Sequence, residues 1–173
     1  MSLITVTDLT LNEMNYDEFL NMFTNFLNYE KDWLANLSNT CSLLNNFLSD
    51  INWVGFYLLK QDELVLGPFQ GKVACTRIAF GKGVCGTAIK HLKTMRVDDV
   101  HNFTGHIACD SDSRSEIVIP LFRNNNQRTK ENLIGVLDID SPNLDRFSRH
   151  DAEKLEELVG ILCEKTQWPE FFA

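Results

Sequence analysis

Three cysteines fall in the middle third of the chain, each beside glycine or polar residues: Cys75 in VACTRIAF, Cys85 in GKGVCGTA and Cys109 in GHIACDSDSRSEIVIP. This arrangement suits a thiol nucleophile with resolving partners, because a thiolate attacks an electrophile and a second thiol can then close a disulfide. Around Cys109, Asp110 and Asp112 disfavour a thiolate while Arg114 and His106 favour it, and spacing alone leaves open which lies nearest. Cys75 and Cys85 are ten positions apart. With one expected on a strand and the other just after a glycine turn, the chain can fold back and present either to Cys109. Both also fit the plainer role of small buried apolar residues. Cys41 and Cys163 lie inside apolar helical patterns and read as packing residues.

A second group is acidic: Glu116 at the start of one expected strand, and Asp138 and Asp140 in GVLDIDSP at the end of another. Two apart, Asp138 and Asp140 point to the same face of a strand. Carboxylates paired in this way repel unless a cation answers them, and the ammonium group of a ligand would serve. Solvated turn acids are the alternative, which suits Asp140 better than Asp138 inside its apolar run. Trp53 and Tyr57, four apart on an earlier strand, also share a face, either as core or as the wall of a small pocket.

Zinc is the chemical rival, since Cys75, Cys85, Cys109, His101 and His106 could supply donors. No two cysteines lie closer than ten residues, however, and no C-x-x-C or H-x-x-x-H pair fixes two ligands on one turn, so no metal is expected. The H-x-E and P-C-x-x-C signatures of zinc deaminases are missing, and GKGVCG lacks the lysine and hydroxyl pattern of a P-loop. No organic cofactor is implied.

The elements that must hold these residues follow from periodicity. Apolar residues at helical spacing over 16–48 predict two helices with a break near 29–31. Residues 52–59, the polar QDE and Leu64-Val-Leu66 read as a hairpin, and a third strand is expected over 73–80. Gly81 and Gly83 then break the chain before a short helix over 84–92, whose first turn carries Cys85 and exposes it to a helix N-terminus. A brief strand over 94–97 leads into an aperiodic loop over 98–113 that holds Cys109. Strands over 115–122 and 133–139 flank the polar RNNNQRTKEN, and Ser148 opens a final amphipathic helix. Helices at both ends should therefore flank a mostly antiparallel sheet, an α+β fold.

Composition narrows the function classes. At 173 residues and 44% hydrophobic content the chain fits one globular domain, and a net charge of −8 with no basic cluster argues against nucleic acid. No apolar run approaches the roughly 20 residues that cross a bilayer. With five cysteines and no basic, apolar leader at its start, the chain is expected to be a soluble cytoplasmic protein whose clustered thiols are redox-active rather than structural.

Taken in order over most of the chain, INWVGFYLL, GPFQGKVACTRIAFGKGVCGTA, DVHNFTGHIACDSDSRSEIVIPL and IGVLDIDSP resemble the free methionine-(R)-sulfoxide reductases, which are built on a GAF domain. GHIACD-x-x-SRSEIV together with GVCGTA is particular to that group. The Asn-Lys…Phe…Asp-Glu pattern of cyclic-nucleotide-binding GAF modules does not occur. The resemblance implies a single GAF domain over 1–173, with N-terminal helices about 16–48, a core about 52–141 and a C-terminal helix about 148–166. It matches Cys109 to the catalytic cysteine, Cys75 and Cys85 to resolving cysteines, Glu116, Asp138 and Asp140 to acidic pocket residues, and Trp53 and Tyr57 to the substrate wall. It also implies reduction of free L-methionine-(R)-sulfoxide through a cysteine sulfenic acid and a disulfide, with Glu116 or Asp140 as the proton donor. Thioredoxin is the implied reductant, and a homodimer paired through the terminal helices is compatible with it. Two other uses of the fold stay open: a redox sensor, which would not need the acidic pocket, and a small-molecule-binding module, which leaves the cysteine placement without a reason.

Overall fold

Capping residues set where the helices begin. In this computed structural model, which describes residues 10–105 and 111–170, Asn15 accepts from the Glu18 amide while the Glu18 carboxylate accepts from the Asn15 amide, opening α1 (Tyr16–Leu27). Asp32 caps α2 (Trp33–Phe47) through the Ala35 amide, so the helical break falls where the sequence places it. The hairpin follows as β1 (Trp53–Lys60) and β2 (Glu63–Gly71), turned at Gln61 with φ 58°. The remaining elements are β3 (Arg77–Ala79), α3 (Gly83–His91), β4 (Met95–Val97), β5 (Ser115–Phe122), β6 (Leu133–Ser141) and α4 (Arg149–Lys165). Ser148 and Asp151 form a capping box at the start of α4.

The six strands make one antiparallel sheet in the order β3-β2-β1-β6-β5-β4. Both faces are covered, which is why β1, β5 and β6 read as nearly continuous apolar runs. Val54, Phe56, Ile117, Ile119, Leu137 and Ile139 point to one side and pack with Phe19, Phe23, Leu37, Leu44, Leu155 and Leu158 from α1, α2 and α4. Trp53, Tyr57, Val118 and Val136 point to the other, where α3 supplies Val84, Cys85, Ala88 and Ile89. The α+β class with terminal helices flanking an antiparallel sheet is as the sequence indicates. Cys41 and Cys163 are buried on the larger side, in the packing role expected of them.

One strand is shorter than its sequence suggests. Instead of running over 73–80, β3 spans only Arg77–Ala79. Gly71 closes β2 with φ +129°, a conformation that L side chains rarely adopt, and a Cβ there would sit 2.6 Å from Trp53 Cδ1. The chain is thereby turned out of the sheet, and residues 72–76 run as a loop held by the Leu66 N–H to the Thr76 carbonyl at 3.0 Å. Cys75 is consequently on a loop and not on a strand. In the long 98–113 segment, Val100–Asn102 form a short 3-10 turn. Cys109, His106 and Asp110 lie outside the described residues.

Candidate active site

Strand register builds the site. Asp138 of β6 stands opposite Gly55 of β1 and Val118 of β5, and Asp140 stands opposite Trp53 and Glu116. Two alternate rungs therefore carry Glu116, Asp138, Asp140 and Trp53, with the period of two placing Asp138 and Asp140 on one face. Glu116 and Asp138 are buried and Asp140 is half-buried.

The aromatic pair sits beside the acids because a glycine makes room. A Cβ on Gly55 would meet Trp53 Cη2 at 2.4 Å and Phe69 Cβ at 2.5 Å, so the indole lies flat across the bare backbone of Gly55. It stacks on Tyr57 at 5.8 Å and on Phe69 at 5.4 Å between ring centroids. Both tips then donate to the loop after β2: Trp53 Nε1 to the Lys72 carbonyl at 3.1 Å, and the Tyr57 hydroxyl to the Cys75 carbonyl at 3.0 Å. Trp53 and Tyr57 thus belong to the smaller core and also hold the loop that carries Cys75. A glycine inside the apolar WVGFY run is the signal that could have pointed to Gly55; Phe69 and Lys72 carry none.

Opposite this wall, the first turn of α3 brings the Cys85 thiol 3.9 Å from Glu116 Oε1. The donor atoms of Cys85, Glu116 and Asp138 all lie within 4.8 Å of one another. Oδ1 of Asp138 is buried with no hydrogen-bond partner. Neither Glu116 nor Asp138 forms an ion pair with Lys or Arg among the described residues. Of the donors considered from sequence, Cys109 and His106 lie outside the described residues, and His101 is exposed, its Nδ1 3.4 Å from Asp99 Oδ1 on the 3-10 turn.

Burial without a cation dominates the electrostatics. Burial, then Asp138 and Asp140 beside it, push the Glu116 carboxyl well above the usual carboxylate range. Burial pushes Asp138 up to about 6, against hydrogen bonds with Cys85 and Glu116 that pull it down. Burial, then Asp138 and Glu116, push the Cys85 thiol far up as well. Sequence suggests an activating helix N-terminus at Cys85; in the structure, desolvation and two adjacent acids outweigh that partial charge, and the thiol stays protonated. Burial likewise pushes Cys41 and Cys163 up to about 12.

The cysteines are not alike in redox state. Cys75, half-exposed on its loop, is disulfide-bonded. Cys41, Cys85 and Cys163 are free thiols. The residues flanking 106–110 are tied to the same end of the sheet. The Gly83 N–H at the start of α3 donates to the Gly105 carbonyl at 3.2 Å, Asn52 Nδ2 donates to Ser113 Oγ at 3.0 Å, and Arg114 N donates to the Ser141 carbonyl at 2.7 Å. Lys72 forms an ion pair with Asp112, joining the Cys75 loop to the segment that follows Cys109 in sequence.

The GAF domain model matches residues 32–164, so this six-stranded antiparallel sheet with its flanking helices is a GAF domain. The free methionine-R-sulfoxide reductase of Escherichia coli (strain K12) is 52% identical over 147 residues, covering 83% of this chain and 86% of that protein. Among solved structures, fRMsr of Staphylococcus aureus in its reduced form superposes with a TM-score of 0.82 at 50% identity, over 89% of this chain and 96% of the other. Free methionine-R-sulfoxide reductase from Neisseria meningitidis, in complex with its substrate, superposes with a TM-score of 0.80 at 48% identity, over 87% of each chain. The chain belongs to the free methionine-R-sulfoxide reductase family, a family of oxidoreductases. Among the described residues no helix is long and apolar enough to cross a membrane.

Proposed function

We propose that this chain reduces free L-methionine-(R)-sulfoxide to L-methionine with Cys109 as nucleophile, Cys75 as resolving thiol and Glu116 as proton donor. The observation that carries the proposal is the pair of buried acids without a cation: Asp138, with an unpartnered oxygen, beside a Glu116 whose carboxyl is pushed well above the usual carboxylate range by burial and by the neighbouring acids. Asp138 and the half-buried Asp140 offer carboxylate to an α-ammonium group. Glu116 offers a proton. The stacked Trp53, Tyr57 and Phe69 provide an apolar wall for the methyl-sulfur end.

The Cys109 thiolate attacks the sulfoxide sulfur while Glu116 protonates the departing oxygen. Oxygen passes to Cys109 as a sulfenic acid, methionine leaves, and sulfur is reduced from sulfoxide to thioether. The Cys75 thiol then attacks the sulfenic sulfur, forming a disulfide and releasing water. Support for Cys75 over Cys85 in this step comes from the disulfide on Cys75 and from the free, buried, protonated thiol of Cys85. An external dithiol of low potential, thioredoxin by our reading, returns both thiols by exchange in a reducing cytoplasm. Selectivity for the free amino acid follows from the acids. A peptide-bound substrate has no ammonium there, and a buried charge left unpaired costs several kcal/mol.

The test is thioredoxin-coupled NADPH consumption with free methionine-(R)-sulfoxide, its S epimer and a peptide-bound sulfoxide, on wild type and Cys109→Ser. Turnover of the free R epimer alone, abolished in the variant, supports the proposal. No turnover of any substrate, with a reversible disulfide still forming under peroxide, would leave a redox sensor in its place.

A further inference from the structure

We infer that Cys85, Glu116 and Asp138 form a binding site for a soft divalent cation of the zinc and cadmium type. All three side chains are more than nine-tenths buried. Their donor atoms lie within 4.8 Å of one another. Asp138 Oδ1 is sealed from solvent without a hydrogen-bond partner, so this carboxylate is buried with a lone pair unanswered. Zinc bonds of about 2.3 Å to sulfur and about 2.1 Å to oxygen at a tetrahedral angle put sulfur and oxygen about 3.6 Å apart. Cys85 Sγ and Glu116 Oε1 are 3.9 Å apart, so this pair closes onto a cation with a movement of a few tenths of an ångström.

The donor set selects the metal. One thiolate with two carboxylates, formed as Cys85 and Glu116 release their protons to solvent on binding, is too soft for magnesium or calcium, which take all-oxygen shells, and three protein ligands leave a fourth tetrahedral position open. Cys85 remains a free thiol while Cys75 is in its disulfide, so the site survives in the oxidised chain. Spacing in the sequence gives no hint of it, because Cys85 and Glu116 are 31 residues apart and meet only through the packing of α3 on the sheet. One consequence rests on the function proposed above: if Asp138 receives the substrate ammonium, metal and sulfoxide exclude each other, and the cation inhibits turnover.

The oxidised full-length protein, cleared of metal and without added reductant, is titrated with Cd²⁺ and followed by the ultraviolet thiolate-to-cadmium charge-transfer band and by calorimetry. A saturable band at a single equivalent is expected. Cys85→Ser should abolish it and weaken binding by at least about 100-fold, the upper range seen when mere outer-shell partners are lost. Asp138→Asn should keep the band and weaken binding by at least about tenfold. No band in the wild type, or an unchanged band in Cys85→Ser, overturns the inference, and so does unaltered affinity in Asp138→Asn. Excess free methionine sulfoxide should displace the metal. A Cys85-dependent band that resists displacement upholds the metal site and counts against the substrate pose instead.

Discussion

Replacing Asp138 with asparagine should make the protein more stable while removing its hold on substrate. Burial lifts the Asp138 carboxyl from 3.8 to about 6. A tenfold change in proton affinity is worth about 1.4 kcal/mol, so keeping Asp138 ionised at neutral pH costs about 3 kcal/mol. The native state holds this proton to higher pH than the unfolded chain does. Between about pH 4 and 6 the native state therefore binds more protons, and stability falls as pH rises through that window. Asparagine does not titrate and escapes the penalty. Its amide adds donors where Oδ1 now finds no partner, offsetting about 1 kcal/mol. The net gain of about 2 kcal/mol above pH 7 amounts to about 4–8 °C in Tm for a chain of this size. Thermal unfolding of the wild type and Asp138→Asn, followed by circular dichroism from pH 4 to pH 8, tests this. The gain should be absent at pH 4 and complete by pH 7, and free methionine sulfoxide should raise Tm in the wild type but not in the variant. A variant that is no more stable at pH 8, or a gain independent of pH, would refute the reasoning.

Gly55→Ala places a methyl 2.4 Å from the Trp53 ring and 2.5 Å from Phe69 Cβ. It should cost about 1–3 kcal/mol in denaturant unfolding and raise KM by tilting the indole off the site. Tyr57→Phe removes the bond to the Cys75 carbonyl, worth about 1 kcal/mol. Thiol counts in quenched single turnovers should show the first reduction unchanged and disulfide closure slowed about fivefold. Cys163→Ser puts a hydroxyl into the buried side of α4, away from the acids. Thermal unfolding should show a loss of about 1–3 kcal/mol, with specific activity per folded molecule retained.

Local periodicity makes much of the fold readable. Asp138 and Asp140 must share a face once GVLDIDSP is a strand, α1 and α2 announce themselves by apolar residues at helical spacing, and α4 adds its capping residue Ser148. What stays hidden is set by contacts distant in sequence. The apolar-looking run over 73–80 loses its first half because Gly71 turns out of the sheet against Trp53. No pattern along the chain reports that the tips of Trp53 and Tyr57 reach the Lys72 and Cys75 carbonyls. The state of Cys85 is hidden for the same reason. Its glycine-flanked helix start suggests activation, whereas its environment is made by Glu116 and Asp138, which come from two other strands and hold the thiol protonated.

Single turnover of the reduced protein without any recycling dithiol tests the central claim most directly. One methionine should form per chain from free methionine-(R)-sulfoxide, with loss of two thiols that peptide mapping assigns to Cys75 and Cys109. Cys85→Ser should still close that disulfide, and Cys109→Ser should form no methionine. Methionine formation by Cys109→Ser, or a disulfide mapped to Cys85 in the wild type, would contradict it.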